Sequence, residues 1–196
     1  PGQDYDPDQR MPDFTFDEVR QFVFEVMEEL VSRFDVDGIE LTFREDIYFP
    51  VPHGKERAPL MTALVRRLRG MLDEYSQSRG KRIQLAARVH ASLEQCLCLG
   101  LDVSTWIAEG LIDSLSPMDP MFACFNAPYA EFAALTRQSE CMLYPGMAPW
   151  SSENARKRVH FTAERHVPGC ASMTRSNDRA LAHTFCGAGA DGISIY

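Results

Sequence analysis

The stretch DVDGIELTFRED, Asp35 to Asp46, decides the fold. From Val36 to Phe43 its residues alternate. Ile39, Leu41 and Phe43 share one face of an extended strand, and Glu40, Thr42 and Arg44 share the other. Many half-buried strands have one apolar face. Here the second face carries Glu and Arg, and helical patterns flank the strand on both sides. That combination fits a parallel strand of a barrel, with its outer face on helices and its inner face free to hold a site.

The flanking segments repeat the theme. Upstream, Thr15 and Glu18 have the spacing of a capping box, and Phe14 with Val19 that of a hydrophobic staple. Val19, Phe22, Val23, Val26, Met27, Leu30, Val31 and Phe34 then follow a helical stripe. Residues 1–12, rich in Asp and Pro, read as an entry loop. Downstream, Pro50, Pro52 and Gly54 mark a loop, and Pro59 suits the first turn of a long helix closed by Gly80. Ile83 to Val89 alternates as a second strand, with Gln84, Ala86, Arg88 and His90 on the inner side. Helices are expected from Ser92 to Leu99 and from Asp102 to Glu109, ended by Gly110. A third strand is expected from Leu111 to Ser116, a helix from Pro128 to Arg137, and a fourth strand from Cys141 to Tyr144. Beyond the loop YPGMAPW, Ser151 or Ser152 can cap a helix to about His166. Thr174 to Ala188 is a further helix, and Gly192 to Tyr196 a fifth strand.

Strands alternating with helices imply an α/β fold with a parallel sheet. Five strands make an apparently incomplete (β/α)8 TIM-barrel type, because the full barrel typically takes about 250 residues. A doubly wound sheet is the competing architecture. No G-x-G-x-x-G follows a strand, which weakens it and leaves no nucleotide-cofactor signature.

The chain has 196 residues, 45 % of them hydrophobic and 24 % charged, which suits one globular domain, 1–196. A net charge of −8 argues against nucleic acid and anionic membrane as partners. No run of 18 apolar residues is present, and no signal peptide is visible. The six cysteines, at 96, 98, 124, 141, 170 and 186, show neither CxxC nor zinc-ligand spacing. They read mostly as buried free thiols, so compartment stays open and no metal site is expected. No G-x-S-x-G elbow or H-E-x-x-H helix occurs.

FDVDGIELTF, RIQLAARV, GLDVSTWIAEGLIDSL and GAGADGISIY, in this order, resemble the bacterial glycoside-hydrolase-like TIM barrels known as family-10-like glycosyl hydrolases. The resemblance covers roughly residues 14–196. In that family the first phrase usually reads DGIELDF on the fourth barrel strand, and the ending resembles the eighth. The resemblance therefore implies strands four to eight, with strands one to three supplied by a missing N-terminal segment. Thr42 stands where Asp is usual. The phrase is also similar to the DGxDxDxE strand of chitinase-type barrels. There Glu40 falls on the first inner acid, Thr42 replaces the second, and Arg44 replaces the catalytic Glu.

Glycoside hydrolysis needs two carboxylates at the C-terminal strand ends. Glu40 is the first candidate, as an acid/base or as a carboxylate paired with Arg88. Asp119, in SPMDP after the third strand, is the second, or else a turn residue. Glu45, Asp46 and Glu153 lie in loops, and the fourth strand ends without a carboxylate. Arg44, Arg88 and His90 suit sugar hydroxyls or an acidic sugar group. Tyr48 and Trp150 suit stacking on sugar rings, and Tyr144 and Tyr196 fit packing equally well. The expected partner is a carbohydrate substrate. A non-catalytic carbohydrate-binding or structural barrel is the alternative, and an α/β enzyme for small anionic metabolites is the third class. Exposed sheet edges would call for a homo-oligomer or the missing N-terminal segment.

Overall fold

A computed structural model describes residues 12–43, 47–119, 122–151, 159–162, 165–167 and 171–195. The expected entry loop lies almost wholly outside the described residues, as do Arg44, Glu45, Asp46, Glu153 and Tyr196. Up to residue 143 helices and strands alternate: α1 (Asp17–Arg33), β1 (Gly38–Thr42), α2 (Gly54–Arg79), β2 (Gln84–Val89), α3 (Leu93–Cys98), α4 (Val103–Ala108), β3 (Ser114–Pro117), α5 (Tyr129–Thr136) and β4 (Met142–Leu143). Short strands follow: β5 (Gly146–Met147), β6 (Trp150–Ser151), β7 (Val159–Thr162), β8 (Arg165–Val167) and β9 (Ala171–Ser172). The helix α6 (Arg175–Ala188) and the strand β10 (Ser194–Ile195) complete the order.

Strands β1, β2, β3 and β4 form one parallel sheet in sequence order. Tyr144 and Pro145 separate β4 from β5, and β10 pairs parallel with β5. Ser194 N–H donates to Pro145 O at 3.0 Å, so β10 runs beside the β4–β5 segment. The result is an α/β fold. Among the described residues the sheet is open, and no strand pairs with the far side of β1.

Alternation places Leu41, Leu85, Leu115 and Leu143 on the covered face of the sheet. They join Met61, Leu64, Val65, Leu68 and Leu72 of α2, Trp106 of α4 and Phe132 of α5 in one core. Trp106 is fully buried, and its indole N–H donates to Thr62 Oγ1 at 3.0 Å, which removes the cost of an unpaired buried donor. A smaller core joins Tyr129 of α5 to Leu181 and Phe185 of α6, with the Tyr129 and Phe185 rings edge to face at 4.7 Å.

The helix starts show where local signals act. Ser92 and Asp102 cap α3 and α4, accepting from Gln95 N–H and Thr105 N–H. Thr174 and Asn177 form a reciprocal capping box on α6. The Thr15/Glu18 box is not formed. Phe16 is the N-cap of α1, Asp13 accepts from Thr15 N–H, and Arg57 donates to the Thr15 hydroxyl. A long-range guanidinium has taken the oxygen that the local motif would have used. The helix α2 begins at Gly54, not at Pro59, which lies inside it. Gly54 touches the end of α3 so closely that a Cβ there would sit 2.2 Å from Cys98 O. That backbone contact fixes the first turn earlier than proline does.

The helix expected from Ser151 or Ser152 to about His166 is corrected. Where the stretch is described it is extended, as β7 paired antiparallel with β8, while β6 pairs with β9. Val159 and Phe161 alternate with His160 and Thr162, the period of a strand.

A buried ion cluster anchors the N-terminal ends of β2 and β3. Arg69 of α2, 6 % exposed along its side chain, donates to Asp113 at 2.9 Å, to Asp73 at 2.8 Å and to Ile83 O at 2.9 Å. Asp113 also accepts from Leu85 N–H at 2.7 Å and from Arg82 at 2.6 Å. Removing Asp113 takes one of two carboxylates from the buried Arg69 and the side-chain acceptor from Leu85 N–H. Asp113→Ala is expected to lower stability by about 3–5 kcal/mol in urea unfolding.

Burial pushes the Cys96 and Cys141 thiols from 9.0 up to about 12. The unfolded chain then holds fewer protons than the folded one between those values. Stability is expected to be unaffected by these thiols below about pH 9 and to fall as pH rises from there toward 12. Thiol reagent at neutral pH should label the exposed Cys98 and Cys186 in the folded protein, and Cys96 and Cys141 only with unfolding.

Candidate functional site

The face of the sheet turned away from the main core is small and polar. Register aligns Thr42 with Arg88 and Arg88 with Ser116, one layer from the C-terminal ends of three strands. Glu40 stands one inward position below Thr42. Arg88 grips it with both arms of its fork, Nε to Oε1 at 2.9 Å and Nη2 to Oε2 at 3.2 Å. The Thr42 hydroxyl donates to Oε1 at 3.1 Å. Glu40 is 36 % exposed along its side chain and Arg88 only 11 %. The carboxylate therefore reaches solvent from a buried, directional support.

Arg88 extends the site toward β3. Its Nη1 lies 3.6 Å from Met118 Sδ, and Met118 is buried against Gly146. A Cβ at Gly146 would stand 2.7 Å from that sulfur, so β5 approaches the end of β3 only because residue 146 is glycine. Asp119 follows Met118 directly, and its Oδ1 accepts from Phe122 N–H at 2.8 Å, the bond of a turn-forming Asp. Ala123 N–H donates to Trp150 O at 2.6 Å. The loops after β3 and β5 thus meet, and both join the Glu40–Arg88 pair through Met118.

The other sequence candidates have varied surroundings. Tyr48 is buried with its ring edge-on to Phe14 and Phe43, at 6.0 and 5.6 Å, on the side of the helices. Its ring serves the core. His90, 1 % exposed, follows β2 directly, and its carbonyl accepts from the Cys96 thiol. Trp150 is half-buried in β6. Arg44 lies outside the described residues.

Ser116 and Met118 were not singled out by motif, although alternation from Ser114 puts Ser116 beside Arg88. A depression of about 660 Å³ lies elsewhere, lined by Arg82, Glu109, Asp113, Glu140 and Cys141 near the N-terminal strand ends. Among the described residues, no group of three or more His, Cys, Asp or Glu side chains is arranged to hold a metal ion. No helix of the described residues is long and apolar enough to cross a membrane.

No family model and no curated protein matches the chain.

Tyr48→Ala is expected to cost about 3–5 kcal/mol in thermal or urea unfolding, the range for truncating a buried aromatic. Ligand binding by the folded fraction should be unchanged.

Proposed function

We infer that this chain forms strands four to eight of a (β/α)8 barrel of the glycoside-hydrolase-like type and acts on a poly- or oligosaccharide at the C-terminal strand ends. The strand order supports the barrel. Each new strand is added on the same side of the last, whereas a doubly wound sheet reverses its order at a switch point.

One observation carries the functional reading: Arg88 presents Glu40 from a buried fork into an open polar layer containing Thr42 and Ser116. Sugars are recognised by oriented acceptors and donors of this kind, and a bidentate Arg fixes the carboxylate plane. Glu40 accepts from three N–H and O–H donors. That arrangement suits the carboxylate that acts as base, nucleophile or hydrogen-bond acceptor, rather than the proton donor. Asp119 supplies the second carboxyl, with one oxygen held by Phe122 N–H. Trp150, on the loop bonded to Ala123, is the stacking surface.

The tie on Asp119 favours a second reading, a barrel that binds carbohydrate without cleaving it. A carboxyl committed to a turn serves loop shape before proton transfer.

Calorimetric binding and reducing-end assays on a panel of oligosaccharides separate the two. Under the hydrolase reading Glu40→Gln lowers turnover by about 100-fold or more, with binding largely kept. Binding with no turnover in the native chain selects the second reading. Full turnover in Glu40→Gln, or no binding to any glycan, overturns both.

A further inference from the structure

The cation of the polar layer is turned toward the protein. Arg88 is 11 % exposed along its side chain. Its Nε and Nη2 donate to Glu40 Oε1 and Oε2 at 2.9 and 3.2 Å, and its Nη1 lies 3.6 Å from Met118 Sδ. Every guanidinium nitrogen thus has a neighbour within the fold. Two arginines near the loop after β1 are committed as well. Arg57 donates to the Thr15 hydroxyl, and Arg20 to the carbonyls of Phe14 and Thr15.

The groups of the layer that do reach solvent are Glu40 and Thr42, while Ser116 is buried. Both exposed groups present acceptors. The Thr42 hydroxyl donates its proton to Glu40 Oε1, 3.1 Å away, which leaves the Thr42 oxygen to accept. A carboxylate has about four lone-pair positions. Arg88 and Thr42 fill two of them on Oε1 and one on Oε2, so a position on Oε2 remains.

Acceptors are complemented by donors. A sugar hydroxyl donates, whereas a uronic carboxylate or a sulfate ester only accepts. An acidic sugar would also bring a second negative charge beside Glu40. To gain Arg88 for itself, it would have to strip the fork from Glu40 and leave that carboxylate without its countercharge. Adjacent hydroxyls on one uncharged ring meet neither obstacle, and the Thr42 and Glu40 oxygens are close enough to receive both.

We propose that the site reads adjacent hydroxyls of an uncharged sugar and rejects uronic acids and sulfated sugars, and that Glu40 sets this choice. This selectivity presupposes the carbohydrate reading above and adds to it the class of sugar. Position on the strand makes Arg88 a receptor for an acidic group. Its fork on Glu40 turns that expectation round, so Glu40 determines specificity by what it prevents as well as by what it binds.

Calorimetry on matched ligands tests the proposal. Cello- and manno-oligosaccharides are each compared with the uronate oligomer in which the ring hydroxymethyl is oxidised to carboxylate, and with the methyl ester of that uronate. The ester keeps the shape of the acid and removes its charge. The native chain is expected to bind at least one neutral oligomer and its ester about 10-fold or more tighter than the acid. Glu40→Gln keeps the side-chain shape and removes the charge that balances Arg88, so it is expected to bring the acid level with its ester or above it. Thr42→Val is expected to weaken binding of the neutral oligomer about 3- to 10-fold, with the preference over the acid intact. An acid bound by the native chain as tightly as its ester, a preference unchanged in Glu40→Gln, or full affinity in Thr42→Val overturns the proposal and leaves the carbohydrate reading standing. Binding of no neutral oligomer removes that reading and the selectivity together.

Discussion

The carboxylate of Asp113 organises the described sheet. A parallel sheet needs each strand held in register with the next, and its slanted ladder offers no tight hairpin to do so. Asp113 solves this at the bottom of β2 and β3 by joining a strand N–H, a buried guanidinium from α2 and a second arginine at the rim. Arg69 carries the same anchorage to Ile83 O, so the longest helix is tied to the sheet by polar bonds as well as by Met61, Leu68 and Leu72. The cluster thus sets α2, β2 and β3 against one another.

The two ends of the sheet then divide the work. At the N-terminal end the largely buried Arg69 and Asp113 pair with each other and with the more exposed Asp73 and Arg82. At the C-terminal end Arg88 is buried while Glu40 remains open to solvent. An arginine fixed by its surroundings aims a carboxylate with little loss of side-chain entropy on binding, which is the condition for a preorganised recognition point. Met118 and Gly146 bring the loops after β3 and β5 up to that point by close packing.

Much of this was legible in the chain. Alternation in Ile39–Phe43 and Ile83–Val89 identifies which side chains face the helices, and the Glu40–Arg88 pair follows from two inward positions on neighbouring strands. Ser92, Asp102 and Gly80 mark helix ends as their chemistry requires. The failures have physical causes. Thr15 lost its capping role to Arg57, 42 positions away, a competitor that no local pattern contains. Gly54 starts α2 because of a backbone contact with Cys98, which spacing cannot display. The caps offered by Ser151 and Ser152 suggest a helix through residues 159–162, yet Val159 and Phe161 alternate as in a strand. Asp113 and Asp191 carry no local signal, because the strand N–H groups they accept from, Leu85 and Leu143, lie 28 and 48 positions away.

Glu40 belongs to two structures at once. Its side chain is the exposed acceptor of the polar layer, and its amide lies on the edge of β1 that no described strand pairs. Pairing along that edge would restrain the backbone from which the carboxylate springs. A ligand held by the carboxylate would restrain the same backbone. The two events are thermodynamically linked, and linkage is reciprocal: whatever free energy edge pairing adds to ligand affinity, the ligand returns to the pairing. Assembly of the sheet and occupancy of its site are in that sense one equilibrium, read at a single residue.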